Sequence, residues 1–125
     1  MKVLAAVCSA LGLIVWGQAQ AGESVPAPWL KRGTPFEQAR AAVLKHGFKP
    51  LILRHVEDRN CYQWCRYPEL ETCSLGGTRF CNAVYIDRNF TIYILSLAGD
   101  PEIYYNDFYV ADPEKASRYW AMAGL

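Results

Sequence analysis

Four cysteines fall within one short stretch, Cys61-x3-Cys65-x7-Cys73-x7-Cys81, and they are the first residues to test for chemistry. Thiolate zinc sites favour two close Cys-x2–4-Cys pairs, and only Cys61 and Cys65 are that close. A thiol oxidoreductase would carry Cys-x-x-Cys at a helix start after a strand, and the x3 spacing has one residue too many. Structural disulfides fit better. Four cysteines allow three pairings. Residues four apart on a helical turn approach closely enough to bridge, which favours Cys61–Cys65. Gly76-Gly77 lets the chain between Cys73 and Cys81 fold back sharply, which favours the second bridge. Loop entropy gives roughly 2–3 kcal/mol per bridge whichever way these loops close, so a crossed pairing stays open at this level.

The other candidate groups form no catalytic constellation. His46 falls in the last turn of an expected helix, where a partial positive charge suits the dipole. His55 ends an expected strand beside Glu57 and Asp58, but no serine or second histidine completes a nucleophilic arrangement. Glu57, Asp58, Glu69 and Glu71 are spaced as solvated loop charges rather than as paired glycosidase carboxylates. Gly76-Gly77 lacks the following Lys-Ser/Thr of a phosphate loop. The reading is therefore no catalytic residue, no metal and no cofactor. The aromatics point elsewhere. Tyr62, Trp64 and Tyr67 surround the cysteines, and Tyr104, Tyr105 and Tyr109 crowd one late strand with Phe108. Tyrosine and tryptophan bring large contact area at low entropy cost, so these six are candidate partner-binding residues.

The elements that position them begin after a leader. Lys2, an apolar run from Val3 to Trp16 and a small-x-small site ending at Ala21 describe a signal peptide, residues 1–21. The run is shorter than the roughly 20 apolar residues of a membrane span, so no stable insertion is expected after cleavage. Removal takes Lys2 out of 13 Lys and Arg, leaving the rest equal to the 12 Asp and Glu, and Cys8 out of five cysteines. A neutral chain lacks the clustered positive field that captures nucleic acid. An even cysteine count in a short exported chain implies bridges and a periplasmic or secreted location. Residues 22–125 make one domain.

Within that domain, residues 22–32 should run extended, docked by Trp29 and Leu30. Thr34, Pro35 and Glu37 predict a capping box opening a helix that stops at Gly47. Phe48 to Arg54 reads as a strand and Tyr67 to Thr72 as a single helical turn. Asn82–Ile86, Phe90–Leu97 and Glu102–Val110 read as strands, the second apolar on both faces and so central. Asp112-Pro113-Glu114 predicts a terminal helix through Ala123, burying Ala116, Tyr119 and Trp120. The fold class is α+β: a small antiparallel sheet of about four strands, an N-terminal helix and a short C-terminal helix, disulfide-stapled. Short turns favour a meander, with the helices expected on one face.

Two patches carry a family resemblance. Gly33-Thr34-Pro35-Phe36-Glu37-Gln38-Ala39-Arg40 followed by Gly47-Phe48-Lys49-Pro50 resembles the G-T-P-aromatic-x-x-A-R … G-W/F-x-P opening of small exported bacterial proteins of uncharacterised function. Glu69-Leu70-Glu71-Thr72-Cys73-Ser74 with Phe80-Cys81 resembles their second patch. The resemblance covers residues 33–97 and implies pairing of Cys73 with Cys81. This chain departs from it in Cys61, Cys65, Leu75 and the aromatic end from Tyr104. No catalytic residues are established for such proteins, so none carries over.

Together these observations lead to a non-enzymatic, disulfide-stabilised exported protein that binds another protein of the cell envelope, such as an inhibitor or immunity protein. The competing expectations are an envelope enzyme, by thiol exchange at Cys61-x3-Cys65 or by hydrolysis at the acidic loop, and a purely structural envelope component.

Overall fold

The strand that is apolar on both sides sits inside the sheet. In the computed structural model, which describes residues 21–57, 59–74 and 77–125, β3 (Ile92–Gly99) lies between β2 (Arg79–Ile86) and β4 (Tyr104–Val110). β1 (Lys49–Pro50) flanks β2, giving a four-stranded antiparallel sheet in the order β1-β2-β3-β4. Helix α1 (Phe36–Lys45) precedes the sheet and helix α2 (Pro113–Met122) follows it. The α+β class read from sequence is therefore present. Residues 1–20, which hold nearly all of the expected signal peptide, lie outside the described residues, as do Asp58, Leu75 and Gly76.

Register assigns the two sheet faces. Cys81–Leu97–Tyr105, Ala83–Leu95–Phe108 and Tyr85–Tyr93–Val110 form rows on one face. Phe80–Ala98–Tyr104, Asn82–Ser96–Asp107 and Val84–Ile94–Tyr109 form rows on the other. A register shift after Ser96 leaves Asn106 as an extra residue in β4, which puts Tyr105 and Phe108 on the same face. That bulge is how a strand with consecutive tyrosines buries its aromatics.

The helices do not share a face, contrary to expectation. Phe36, Ala39 and Val43 of α1 pack with Ala83, Tyr85, Leu95, Leu97 and Phe108. Tyr119 and Ala123 at α2 pack with Val84, Ile92, Ile94, Leu51 and Leu53 on the reverse side. A sheet apolar on both faces needs cover on both, and β3 already carried that signal.

Local chemistry explains the helix ends. Gly47 adopts φ +93°, its amide donates to the Leu44 carbonyl and the Phe48 amide to the Val43 carbonyl. This is a Schellman termination, which needs a left-handed residue and so favours glycine. The start departs from the expected capping box. Pro35 occupies the cap position without a side-chain bond. The Thr34 hydroxyl donates to the Lys31 carbonyl at 2.5 Å, and Glu37 pairs with Arg66. The Phe36 amide is satisfied by the Ile103 carbonyl at 3.0 Å instead. Tertiary structure has replaced the cap. Asp112 does cap α2, accepting from the Lys115 amide at 2.8 Å.

Both sheet edges are covered, which removes the unpaired backbone that would recruit further strands. The leader lies along β4, with Gly22 N–H donating to Val110, Val25 to Phe108 and Gly33 to Tyr105. Trp29 stacks on His46 at 3.9 Å and Leu30 is buried, so these residues dock the leader as expected. Along β2, Leu51 N–H donates to the Val84 carbonyl. The expected strand to Arg54 ends early: the chain leaves the edge there and returns at Glu69, where Val84 N–H donates to Glu69 and Glu71 N–H to Asn82. Leu70 N–H on the Tyr67 carbonyl at 3.1 Å closes the first part of the expected turn, but from Leu70 the chain continues as an edge segment instead of completing the turn through Thr72. The strap between, residues 52–68, is closed at its base by Leu53 N–H on the Pro68 carbonyl at 3.0 Å.

Candidate functional site

The two disulfides pair Cys61 with Cys65 and Cys73 with Cys81, at Cα separations of 5.0 and 4.3 Å. The first closes a 3-10 turn, Tyr62–Trp64, within the strap. The second joins the edge segment to β2, reinforced by Ser74 N–H on the Phe80 carbonyl and Phe80 N–H on the Ser74 hydroxyl. Two such bridges belong to a stable protein of an oxidising compartment. Among the described residues no helix is long and apolar enough to cross a membrane. Cys61, Cys73 and Cys81 are buried, whereas Cys65 is exposed.

The acidic residues separate. Glu69 is fully buried and accepts from Arg40 Nε at 2.6 Å and from the Tyr85 hydroxyl at 2.9 Å. Burial, together with the Glu69 charge, holds the Tyr85 hydroxyl well above the ordinary tyrosine range. Glu71 instead accepts from the Tyr119 hydroxyl at 3.0 Å on the α2 side. Two carboxylates engaged on opposite sides of a sheet cannot share one substrate. Glu69 was read as a solvated loop charge; it is an interior anion whose partners lie on α1 and β2. Its sequence position gave no local signal, because both partners are distant along the chain. The histidines likewise form no acid–base group. His46 Nδ1 sits 2.9 Å from the Ala42 carbonyl, and His55 is exposed with its amide on the Met122 carbonyl.

The six expected contact aromatics do not share one surface. Trp64 is buried in the α1-side core. The Tyr67 ring lies under Arg40 at 4.7 Å and Arg66 at 5.0 Å, clamping the strap to α1. Tyr62 carries the Arg79 guanidinium at 4.0 Å. Tyr105 packs on the α1 side and Tyr109 on the α2 side, where Lys115 Nζ approaches its ring at 5.3 Å. Only Tyr104 of the six is exposed.

What the structure brings together is a different set. Helix α2 covers the rows Ile86–Ile92 and Val84–Ile94–Tyr109 but not the opposite end of its face. The row Phe80–Ala98–Tyr104 belongs to neither core, with Phe80 60% and Tyr104 40% exposed. Behind it lies the half-buried polar row Asn82–Ser96–Asp107. The turn below is held rigid: a Cβ on Gly99 would sit 1.9 Å from the Glu102 carbonyl oxygen, so only glycine fits. Arg79 ties the same turn through the Pro101 carbonyl at 2.8 Å. The result is an end of the sheet with an exposed aromatic row and hydrogen-bonding groups beside it. Such a platform can bind a surface. Phe80 was missed because β2 begins at Arg79, three residues before the expected start at Asn82. Comparison with protein-family models, curated proteins and solved structures finds no match to this chain.

Removing Arg40 while leaving Glu69 strands a buried charge. Arg40→Met should cost about 3 kcal/mol in urea unfolding, and Arg40→Met with Glu69→Leu should recover most of that loss. Alkaline pH tests the buried phenols. Burial first, then Asp87 for Tyr93 and Glu71 for Tyr119, pushes each hydroxyl from the ordinary 10 up to about 12. A pKa raised on folding contributes stability that is complete below pH 10 and lost as pH climbs to 12. Thermal melts should therefore fall across that window, and Tyr119→Phe should flatten the fall.

Proposed function

We propose that this chain is an exported, disulfide-stabilised binding protein that docks on another protein through the part of the sheet α2 leaves open. Residues 1–21 act as its signal peptide, and the periplasm is its compartment. The observation that carries this reading is the exposure of Phe80 and Tyr104, which flank Ala98 in one row of the sheet. Exposed aromatics at one end of the sheet, bordered on the inner side by Asn82, Ser96 and Asp107, have the aromatic and hydrogen-bonding composition of a protein interface. Two large rings exposed in one row are more informative than a single exposed apolar residue. Inhibition of an enzyme, or immunity against one, is the specific role that fits a small rigid binder. The resemblance to small exported bacterial proteins belongs with the same reading.

Capture of envelope proteins on the oxidised chain checks it. The parent should retain one saturable, stoichiometric partner. Phe80→Ser with Tyr104→Ser should melt within about 0.5 kcal/mol of the parent, as exposed substitutions do, yet lose that partner. Retention by the double variant would move the interface off this face.

The exposed Cys65 beside a buried Cys61 favours a second reading, thiol exchange in the envelope. An incoming thiolate would reach Cys65 first and release Cys61. Titration with a dithiol reductant separates the two. Selective opening of Cys61–Cys65, with turnover of a disulfide substrate, would support exchange; resistance of both bridges supports the binder.

A further inference from the structure

The β2–β3 hairpin closes at the opposite end of the sheet from Phe80, around an ill-suited residue. Asp87 Oδ1 accepts from the Asn89 and Thr91 amides at 2.9 and 3.0 Å, and Oδ2 from the Tyr93 hydroxyl at 3.0 Å. The Phe90 amide donates to the Asp87 carbonyl at 3.0 Å, and Phe90 completes the turn at φ +61°. Hairpins normally give that left-handed position to glycine or asparagine, because a larger side chain crowds the backbone there. Phe90 is nonetheless 69% exposed and belongs to neither core. A strained bulky residue with no packing in return is the sort of outlier found at functional positions.

Beside it lies a cavity of about 250 Å3 lined by Gly47, Lys49, Ile86, Asp87, Arg88 and Phe90. Lys49 and Arg88 are exposed and have no carboxylate partner among the described residues. Asp87 is the opposing charge in the lining, and both its oxygens already take donors from the turn and from Tyr93. The carbonyl end of α1 adds a partial negative charge nearby, reduced where the Gly47 and Phe48 amides donate to the Leu44 and Val43 carbonyls. The balance left is cationic, with an aromatic wall.

We propose that this cavity holds the head of a small anionic amphiphile, a carboxylate or phosphate between Lys49 and Arg88, with its apolar part against Phe90 and Ile86. The volume decides how much enters. It lies below the roughly 300–1,000 Å3 that encloses a drug-sized ligand, so it takes an end group and leaves the remainder on the exposed ring. The two cations set the charge preference, since a hydrogen bond between two ionised groups is about twice as strong as a neutral one.

Octyl phosphate, kept below its micelle concentration, would be titrated into the oxidised chain and followed by amide NMR. Saturable shifts should centre on Gly47, Lys49, Arg88 and Phe90, and octyltrimethylammonium should produce none. Lys49→Gln with Arg88→Gln should weaken binding at least about tenfold. Phe90→Asn should melt at or above the parent temperature, because asparagine tolerates the left-handed turn, and should also bind about tenfold more weakly. A lipid headgroup offers the same chemistry as a free amphiphile. Binding to octyl phosphate without sedimentation on phosphatidylcholine–phosphatidylglycerol vesicles identifies a free ligand as the source, and binding to both identifies a membrane surface. Shifts elsewhere, equal binding of the ammonium compound, or full affinity in Phe90→Asn would overturn the proposal.

Discussion

Glu69 is the residue on which the arrangement turns. A carboxylate removed from water costs several kcal/mol unless close donors replace its hydration. Arg40 and Tyr85 supply those donors, so the tripeptide Glu69-Leu70-Glu71 settles only where α1 and β2 meet. Leu70 is buried opposite Ala83, and the backbone on either side bonds to Asn82 and Val84. Glu71 then receives the Tyr119 hydroxyl from α2. Three consecutive residues thereby engage β2, α1 on one face and α2 on the other. The disulfide at Cys73 begins two positions further on and locks the same segment to β2.

This pinning makes the two faces unequal. On the α1 side, the helix, the docked leader and the strap together cover every row of the sheet, and Trp64 and Leu30 fill the remaining space. On the α2 side one short helix is available, fixed at the β1 end by Tyr119 and by the His55 amide on the Met122 carbonyl. It leaves the Phe80–Ala98–Tyr104 row outside the core. The described residues leave the Phe80 and Tyr104 rings exposed on this face, while both sheet edges are closed.

Much of this was legible in the sequence wherever the cause was local. Gly47 ending α1, Asp112 starting α2, the central position of β3 and both cysteine pairings all depend on residues close in the chain. What failed depended on distant partners. Thr34 and Glu37 spell a capping box, but β4 satisfies the helix start and Arg66 takes the carboxylate. Glu69 looks like any loop acid until α1 brings Arg40 against it. The bulge at Asn106 decides which tyrosines are buried, and nothing in the run Tyr104 to Val110 specifies it. Of the candidate contact residues, Tyr104 alone is exposed, and its neighbour across the sheet, Phe80, was hidden by a strand start placed too late.

The most direct test of the account is solvent paramagnetic relaxation of the aromatic ring protons in the oxidised chain, using a soluble, uncharged probe. The account predicts strong broadening of Phe80 and Tyr104, with Tyr119, Tyr85 and Phe108 protected. Equal protection of Phe80 and Tyr119 would contradict it, because α2 or another segment would then cover the face assigned to the partner.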